Sequence, residues 1–185
     1  MIEDVLKEMK DNMNKAIEAL HTSLGKIRTG RASLSLLEGI RVNYYGTVVP
    51  LNQAATLSVP ESKLIVIQPW EPKSLVEIEK AILKADLGLT PINDGKIIRI
   101  AIPPLTEERR KELVKVVKKI AEETRVSLRN SRRDANEMLK ELEKEKEISE
   151  DDFHTNQNKV QKITDEYIEK VSEILSRKEK EIMEV

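Results

Sequence analysis

Six cations recur along one stretch of this 185-residue chain at a spacing that a helix makes meaningful. Lys111, Lys115, Lys118, Arg125, Arg129 and Arg132 follow one another in steps of four and three, with Glu122 filling the one intervening step. Residues three and four apart share a helix face, so the six form a ridge, flanked by Arg110 and Arg133. Lys111, Lys115 and Lys118 each stand two residues before an apolar position (113, 117 and 120). That offset is about 200° on a helix, which predicts a basic face pointing directly away from a buried one. Guanidinium groups on a rigid helix can meet phosphate oxygens two at a time, a contact suited to structured RNA. The plainer alternative is a solvated face laced with ion pairs. It suits ELEKEKE at 141–147, where acid and base alternate. It explains less between 125 and 133, where Arg125, Arg129, Arg132 and Arg133 occur with no acid among them.

Other chemistry finds little footing. The two histidines, His21 and His154, fall on predicted helix surfaces with no acid–base partner at a useful spacing. The chain has no cysteine, which excludes disulfides, thiolate metal sites and thiol catalysis. Gly25 and Gly30 in GKIRTG are spaced like the glycines of a phosphate loop. Arg31-Ala32 stands where Lys-Ser/Thr is required, however, and the segment ends a helix instead of following a strand. Trp70, between Pro69 and Pro72, is expected to pack within its own domain. Tyr44-Tyr45-Gly46 reads as a strand end and hairpin turn. No metal or organic cofactor is expected, and no enzymatic activity.

The formal net charge of −1 conceals an uneven distribution. Residues 106–133 carry ten Lys/Arg against five Asp/Glu, a net of +5, which leaves −6 for the rest. Such a local excess suits an anionic partner. The opening MIEDVLKEMKD lacks the basic and apolar regions of a secretory signal. The longest apolar run, IAIPPL, is far short of the roughly 20 residues of a membrane span. A soluble, cytoplasmic chain is therefore expected.

Three runs of helical periodicity position the cations. The first runs through Val5, Met9, Met13, Ala16, Leu20, Leu24 and Ile27. The second opens near Thr106 and follows Leu113, Val117, Ile120, Thr124, Leu128, Ser131, Ala135, Met138 and Leu142. The third starts at Ser149, with Asp152 completing an S-x-x-D capping box, and follows Phe153, Val160, Ile163, Tyr167, Val171, Ile174 and Ile182. The apolar-free interval 155–158 is read as surface. Amphipathic helices of this length must bury their stripes together, as a three-helix bundle.

Between 31 and 105 the character changes: all seven prolines and four of the six glycines lie there. Short β-rich runs stand at 40–44, 47–51, 56–59, 64–68 and 97–102, with one helix near 73–86 and a turn at Asn93-Asp94-Gly95. The expected architecture is α+β: a long three-helix bundle from 1–30 and 106–185, with a small β-rich α/β domain from 31–105 inserted. Two connections join them, residues 29–32 and 103–105.

The segments KIRTGRAS (26–33), VNYYGTVVPL (42–51), ADLGLTPINDG (85–95), PPLTEERRKEL (103–113), RNSRRDANEMLK (129–140) and KEISEDD (146–152) together resemble the bacterial ribosome recycling factor family. They span nearly the whole chain in order. The resemblance implies an L-shaped, monomeric molecule that acts with elongation factor G to split the post-termination ribosome. It further implies that the bundle binds large-subunit rRNA through Arg28, Arg110, Arg129, Arg132 and Arg133. The hinge would fall on Thr29, Gly30, Arg31 and Ala32, and on Pro103, Pro104 and Leu105. From the residues alone two other readings stand: a helical adaptor whose arginines pair with an acidic coiled coil, and a hydrolase or transferase with its site in the inserted domain.

Overall fold

The apolar period switches from helical to alternating and back along this chain, and the computed structural model, which describes residues 1–184, follows those switches. Its α-helices are α1 (Ile2–Gly25), α2 (Leu75–Lys84), α3 (Glu107–Lys144) and α4 (Glu150–Met183). The chain divides into two compact units, Met1–Ile27 with Lys111–Glu184, and Arg28–Arg110.

The first unit is a bundle of α1, α3 and α4. Helix α1 buries Val5, Met9, Met13, Leu20 and Leu24, and α3 buries Leu113, Val117, Ala121, Leu128, Ala135 and Leu139. Helix α4 adds Val160, Tyr167, Val171 and Ile182. Thr164 is also buried there, and its hydroxyl is satisfied by donating to the Val160 carbonyl at 2.7 Å. The Tyr167 hydroxyl donates to Asn14 Oδ1 at 2.7 Å and ties α4 to α1. Thr106 caps α3 by accepting the Arg109 N–H at 3.2 Å. The predicted capping box opens α4: Ser149 Oγ accepts the Asp152 N–H at 3.0 Å while Asp152 accepts the Ser149 N–H at 3.2 Å. Residues 155–158 are not the uniform surface expected. Asn156 is only 5% exposed, because it lies four residues before Val160 and shares its stripe. Its Nδ2 donates to the Asp152 carbonyl at 2.7 Å.

In the second unit β1 (Arg41–Tyr44) and β2 (Thr47–Pro50) form a hairpin. Its turn puts Tyr45 and Gly46 at φ of 51° and 79°, the paired left-handed geometry that matches strand twist. Strands β3 (Ala55–Glu61), β4 (Leu64–Pro69), β5 (Pro91–Asn93) and β6 (Ile98–Ala101) form an antiparallel sheet in the order β3-β4-β6-β5. Ile65 pairs with Ile100 and Ile67 with Ile98, and all four side chains enter a core shared with Ile78 and Ile82 of α2. Strand β5 was not expected from the sequence. It is three residues long, opens on a proline and has no alternation to betray it. Asp94 shapes the turn after it, accepting the Lys96 and Ile97 N–H groups at 2.9 Å each, and these bonds hold its carboxyl below the usual carboxylate range, Ile97 contributing most. Trp70 does not pack inside as expected. It is 56% exposed, with its indole N–H donating to Thr56 Oγ1 at 2.9 Å.

Both connections rest on the turn between β3 and β4. Ala32 donates its N–H to the Ser62 carbonyl at 2.7 Å, and Ile102 donates to Lys63 at 2.8 Å. Gly30 has φ +77°, and a Cβ there would lie 3.1 Å from Leu105 Cγ. The two connections thus touch where Gly30 meets Leu105.

Candidate nucleic-acid interface

Helix α3 carries the basic ridge without interruption, since no Gly or Pro breaks Glu107–Lys144. The ridge does not point straight away from the core, however. Arg125 lies three residues before Leu128 and Arg132 four after it, and Leu128 is 0% exposed. Those offsets place the two arginines only about 60° and 40° around the helix from Leu128. The predicted offset was measured on 111–120 alone. The buried stripe keeps the same seven-residue step through Ala121, Leu128 and Ala135, so Lys118, Arg125 and Arg132 each stand three residues before a core position. The predicted offset referred Lys118 to Ile120, which is only half-buried.

That shoulder of the core lies against α4, which supplies polar partners. Arg125 Nη2 donates to Ser172 Oγ at 3.1 Å, and Arg132 Nη1 donates to Gln161 Oε1 at 3.3 Å. Gln161 is itself oriented by donating Nε2 to Asp165 Oδ1 at 2.8 Å. Lys118 Nζ approaches Glu179 Oε1 at 3.9 Å. Within α3, Glu122 gathers two arginines, Arg129 Nη1 at 3.0 Å and Arg125 Nη1 at 3.4 Å. Arg133 is exposed, and no carboxylate of the described residues pairs with it. The result is a row in which the guanidiniums of Arg125, Arg129 and Arg132 are held in place by hydrogen bonds, with exposed Arg133 beside them. Such a row presents several directed donors at defined places, which favours an ordered phosphate backbone over a diffuse counter-ion cloud. Residue pattern alone does not mark Gln161 or Ser172 as positioning residues, and it marks Glu122 only as the acid that interrupts the ridge. The first two sit on another helix, whose register against α3 no single-chain pattern reveals.

The remaining predicted residues lie in the second unit. Arg110 is half-buried in the opening turn of α3, its Nε without a hydrogen-bond partner. Arg28 is exposed, with its Nη1 beside Gly88, where a Cβ would lie in ordinary contact at 3.6 Å. The bundle unit therefore brings together Arg129, Arg132 and Arg133, and Arg28 and Arg110 belong to the second unit. His21 and His154 are both exposed. Among the described residues no group of three or more His, Cys, Asp or Glu side chains could hold a metal ion. No helix is long and apolar enough to cross a membrane.

Comparison with known proteins decides the family. The family model described as "Ribosome recycling factor" matches residues 20–183. The chain belongs to the ribosome recycling factor family. The ribosome-recycling factor of Syntrophus aciditrophicus (strain SB) is 64% identical over 181 residues, covering 98% of both chains. That of Carboxydothermus hydrogenoformans is 58% identical over 185 residues, covering 100% of both. A solution structure of the ribosome recycling factor aligns with TM-score 0.79 and 47% identity, covering 100% of this chain and 98% of the other. A second match, with TM-score 0.67, 46% identity and 100% coverage of both chains, is the T. thermophilus ribosome recycling factor from models of it and the E. coli elongation factor G bound to the E. coli post-termination complex. Ribosome recycling factors thus share this pairing of long helices with a small antiparallel β domain.

Proposed function

We propose that this protein is a cytoplasmic, monomeric ribosome recycling factor that binds the post-termination ribosome and, with elongation factor G, parts its subunits. The bundle, residues 1–30 and 106–185, grips large-subunit rRNA through Arg129, Arg132 and Arg133, with Arg28 and Arg110 contributing from outside the arginine row. The inserted domain, residues 31–105, receives the push of the translocase. It bends about Thr29, Gly30, Arg31 and Ala32, with Pro103, Pro104 and Leu105 as the stiffer strut. The factor itself makes and breaks no covalent bond. The observation that carries this reading is the guanidinium row on α3, held by Glu122, Ser172 and Gln161. Support comes from the 46%-identical T. thermophilus factor, which is found with elongation factor G on a post-termination complex.

Co-sedimentation with isolated large ribosomal subunits tests the binding. If about four phosphates are neutralised, log affinity should fall against log salt with a slope of roughly −3 to −4. Lys144→Ala, in the mixed run at 141–147, should leave that slope unchanged. A slope near zero, or large-subunit binding that survives ribonuclease treatment of the subunits, would overturn the rRNA reading. Light scattering with elongation factor G and GTP tests the splitting, and unchanged scattering from post-termination ribosomes would overturn that part alone.

A further inference from the structure

Alternation along the first hairpin puts Val42 in the core and leaves Arg41 and Asn43 on the outward face, where Val48 joins them opposite Asn43. Helix α2 and its C-terminal cap Ala85 face them with positions 77, 80, 81, 84 and 85, whose steps of three, one, three and one describe a single helical stripe. Between hairpin and stripe runs an open cleft of about 480 Å³. Its chemistry is two-sided. Arg41, Lys80 and Lys84 line it against one acid, Glu77, and that acid already lies 3.9 Å from Lys80. No carboxylate of the described residues lies within ion-pairing distance of Arg41 or Lys84. The floor is apolar, built on Ile40 and Ala81, and Val48 stands on the rim 58% exposed.

We propose that this cleft is a docking site for a protein segment in which acidic and apolar side chains alternate. Carboxylates of the segment reach Arg41 and Lys84, Asn43 offers an amide to its backbone, and its apolar side chains cover Val48 and the floor. An RNA strand fits less well. Single strands are held by stacking bases on aromatic rings, and no aromatic side chain lines the cleft. A phosphate backbone would also leave the apolar floor in water. The site lies on a different unit from the arginine row, so it stands or falls independently of rRNA binding.

The test uses the full-length, ¹⁵N-labelled protein without ribosomes. A short peptide of alternating glutamate and leucine is titrated against it, and a short oligouridylate in parallel. The peptide should produce saturable amide shifts confined to residues 39–48 and 77–85. Arg41→Glu combined with Lys84→Glu should weaken it by about tenfold or more, and so should Val48→Asp alone. All three side chains are at the surface, so spectra elsewhere should stay unchanged and report an intact fold. Absence of saturable shifts, an affinity indifferent to these substitutions, or the same shifts with oligouridylate would each overturn the proposal.

Discussion

Arg129 donates from Nη1 to Glu122 Oε1 at 3.0 Å, seven residues back along α3. The second oxygen of that carboxylate faces Arg125 Nη1 at 3.4 Å. Hydrogen bonding from Arg129, and then from Arg125, holds the Glu122 carboxyl below its usual range, so it remains a counter-ion inside the arginine row well into mild acid. A phosphate that approaches the row must compete with this carboxylate.

Glu122→Gln should therefore tighten binding to large subunits several-fold at low salt and steepen the salt slope by roughly one, since two arginines lose their internal counter-ion. A titration across salt concentrations reads both quantities. An unchanged affinity would mean that the pair does not restrain the arginines.

Binding and stability should separate at neighbouring positions. Arg132→Ala removes a partly exposed guanidinium whose one side-chain bond is to Gln161, and should cost roughly 1–3 kcal/mol of large-subunit affinity with under about 0.5 kcal/mol of stability. Leu128→Ala opens a cavity in the bundle core and should cost about 2–5 kcal/mol of stability, leaving the affinity of the folded fraction intact. Denaturant melts beside sedimentation assays distinguish the two. A large stability loss for Arg132→Ala would make it a structural residue.

The Gly30–Leu105 contact can be dissected by comparison with Gly39. Both glycines have positive φ, +77° and +82°, but a Cβ at Gly39 would meet nothing within 4 Å. Gly39→Ala should cost about 1–2 kcal/mol from left-handed strain alone. Gly30→Ala should cost more, because crowding against Leu105 is added, and Leu105→Ala should recover part of that excess. Equal melting shifts for the two alanine variants would show that the connections do not press on each other.

Acid should weaken the start of α4. The Ser149 hydroxyl, followed by the Ser149 N–H, holds Asp152 below the usual carboxylate range. A carboxyl whose folded pKa is depressed adds stability above its unfolded pKa and loses it as pH falls through the lowered value. Ser149→Ala should cost about 0.5–2 kcal/mol at neutral pH and flatten this part of the acid limb. Thermal melts from neutral pH down through the carboxylate range check both.

What the sequence revealed was what repeats. The stripe through Val5, Met13 and Leu24 marked α1 to its end at Gly25, and Ser149 with Asp152 marked the start of α4. The helix expected near 73–86 is a short 3-10 turn, Pro72–Ser74, followed by Leu75–Lys84. Strand β5 and the turn Leu34–Leu37 escaped because three or four residues cannot establish a period. At the interface the residue types were legible and their direction was not. The phase read from Lys118 took half-buried Ile120 as the core position, where Ala121 is the buried residue, and the α4 partners of the arginines lie 47 and 29 positions away. Asn156 misled because a polar type was read as surface, although its position on the stripe governs its burial.

The hydrogen bond from Tyr167 to Asn14 spans 153 positions, and it orders events on a ribosome that is still translating this chain. At about 5–20 residues per second, Asn14 is made roughly 8–30 s before Tyr167. The inserted unit is one unbroken run, Arg28–Arg110, so all of its strands exist while α4 has yet to be synthesised. It can fold first. Throughout that interval the apolar stripe of α1 has no third helix to cover it, and the nascent chain carries a finished domain between two halves of an unfinished one. Slow codons before α4 would lengthen the interval in which chaperones must shield Met9, Met13 and Leu20 from other nascent chains.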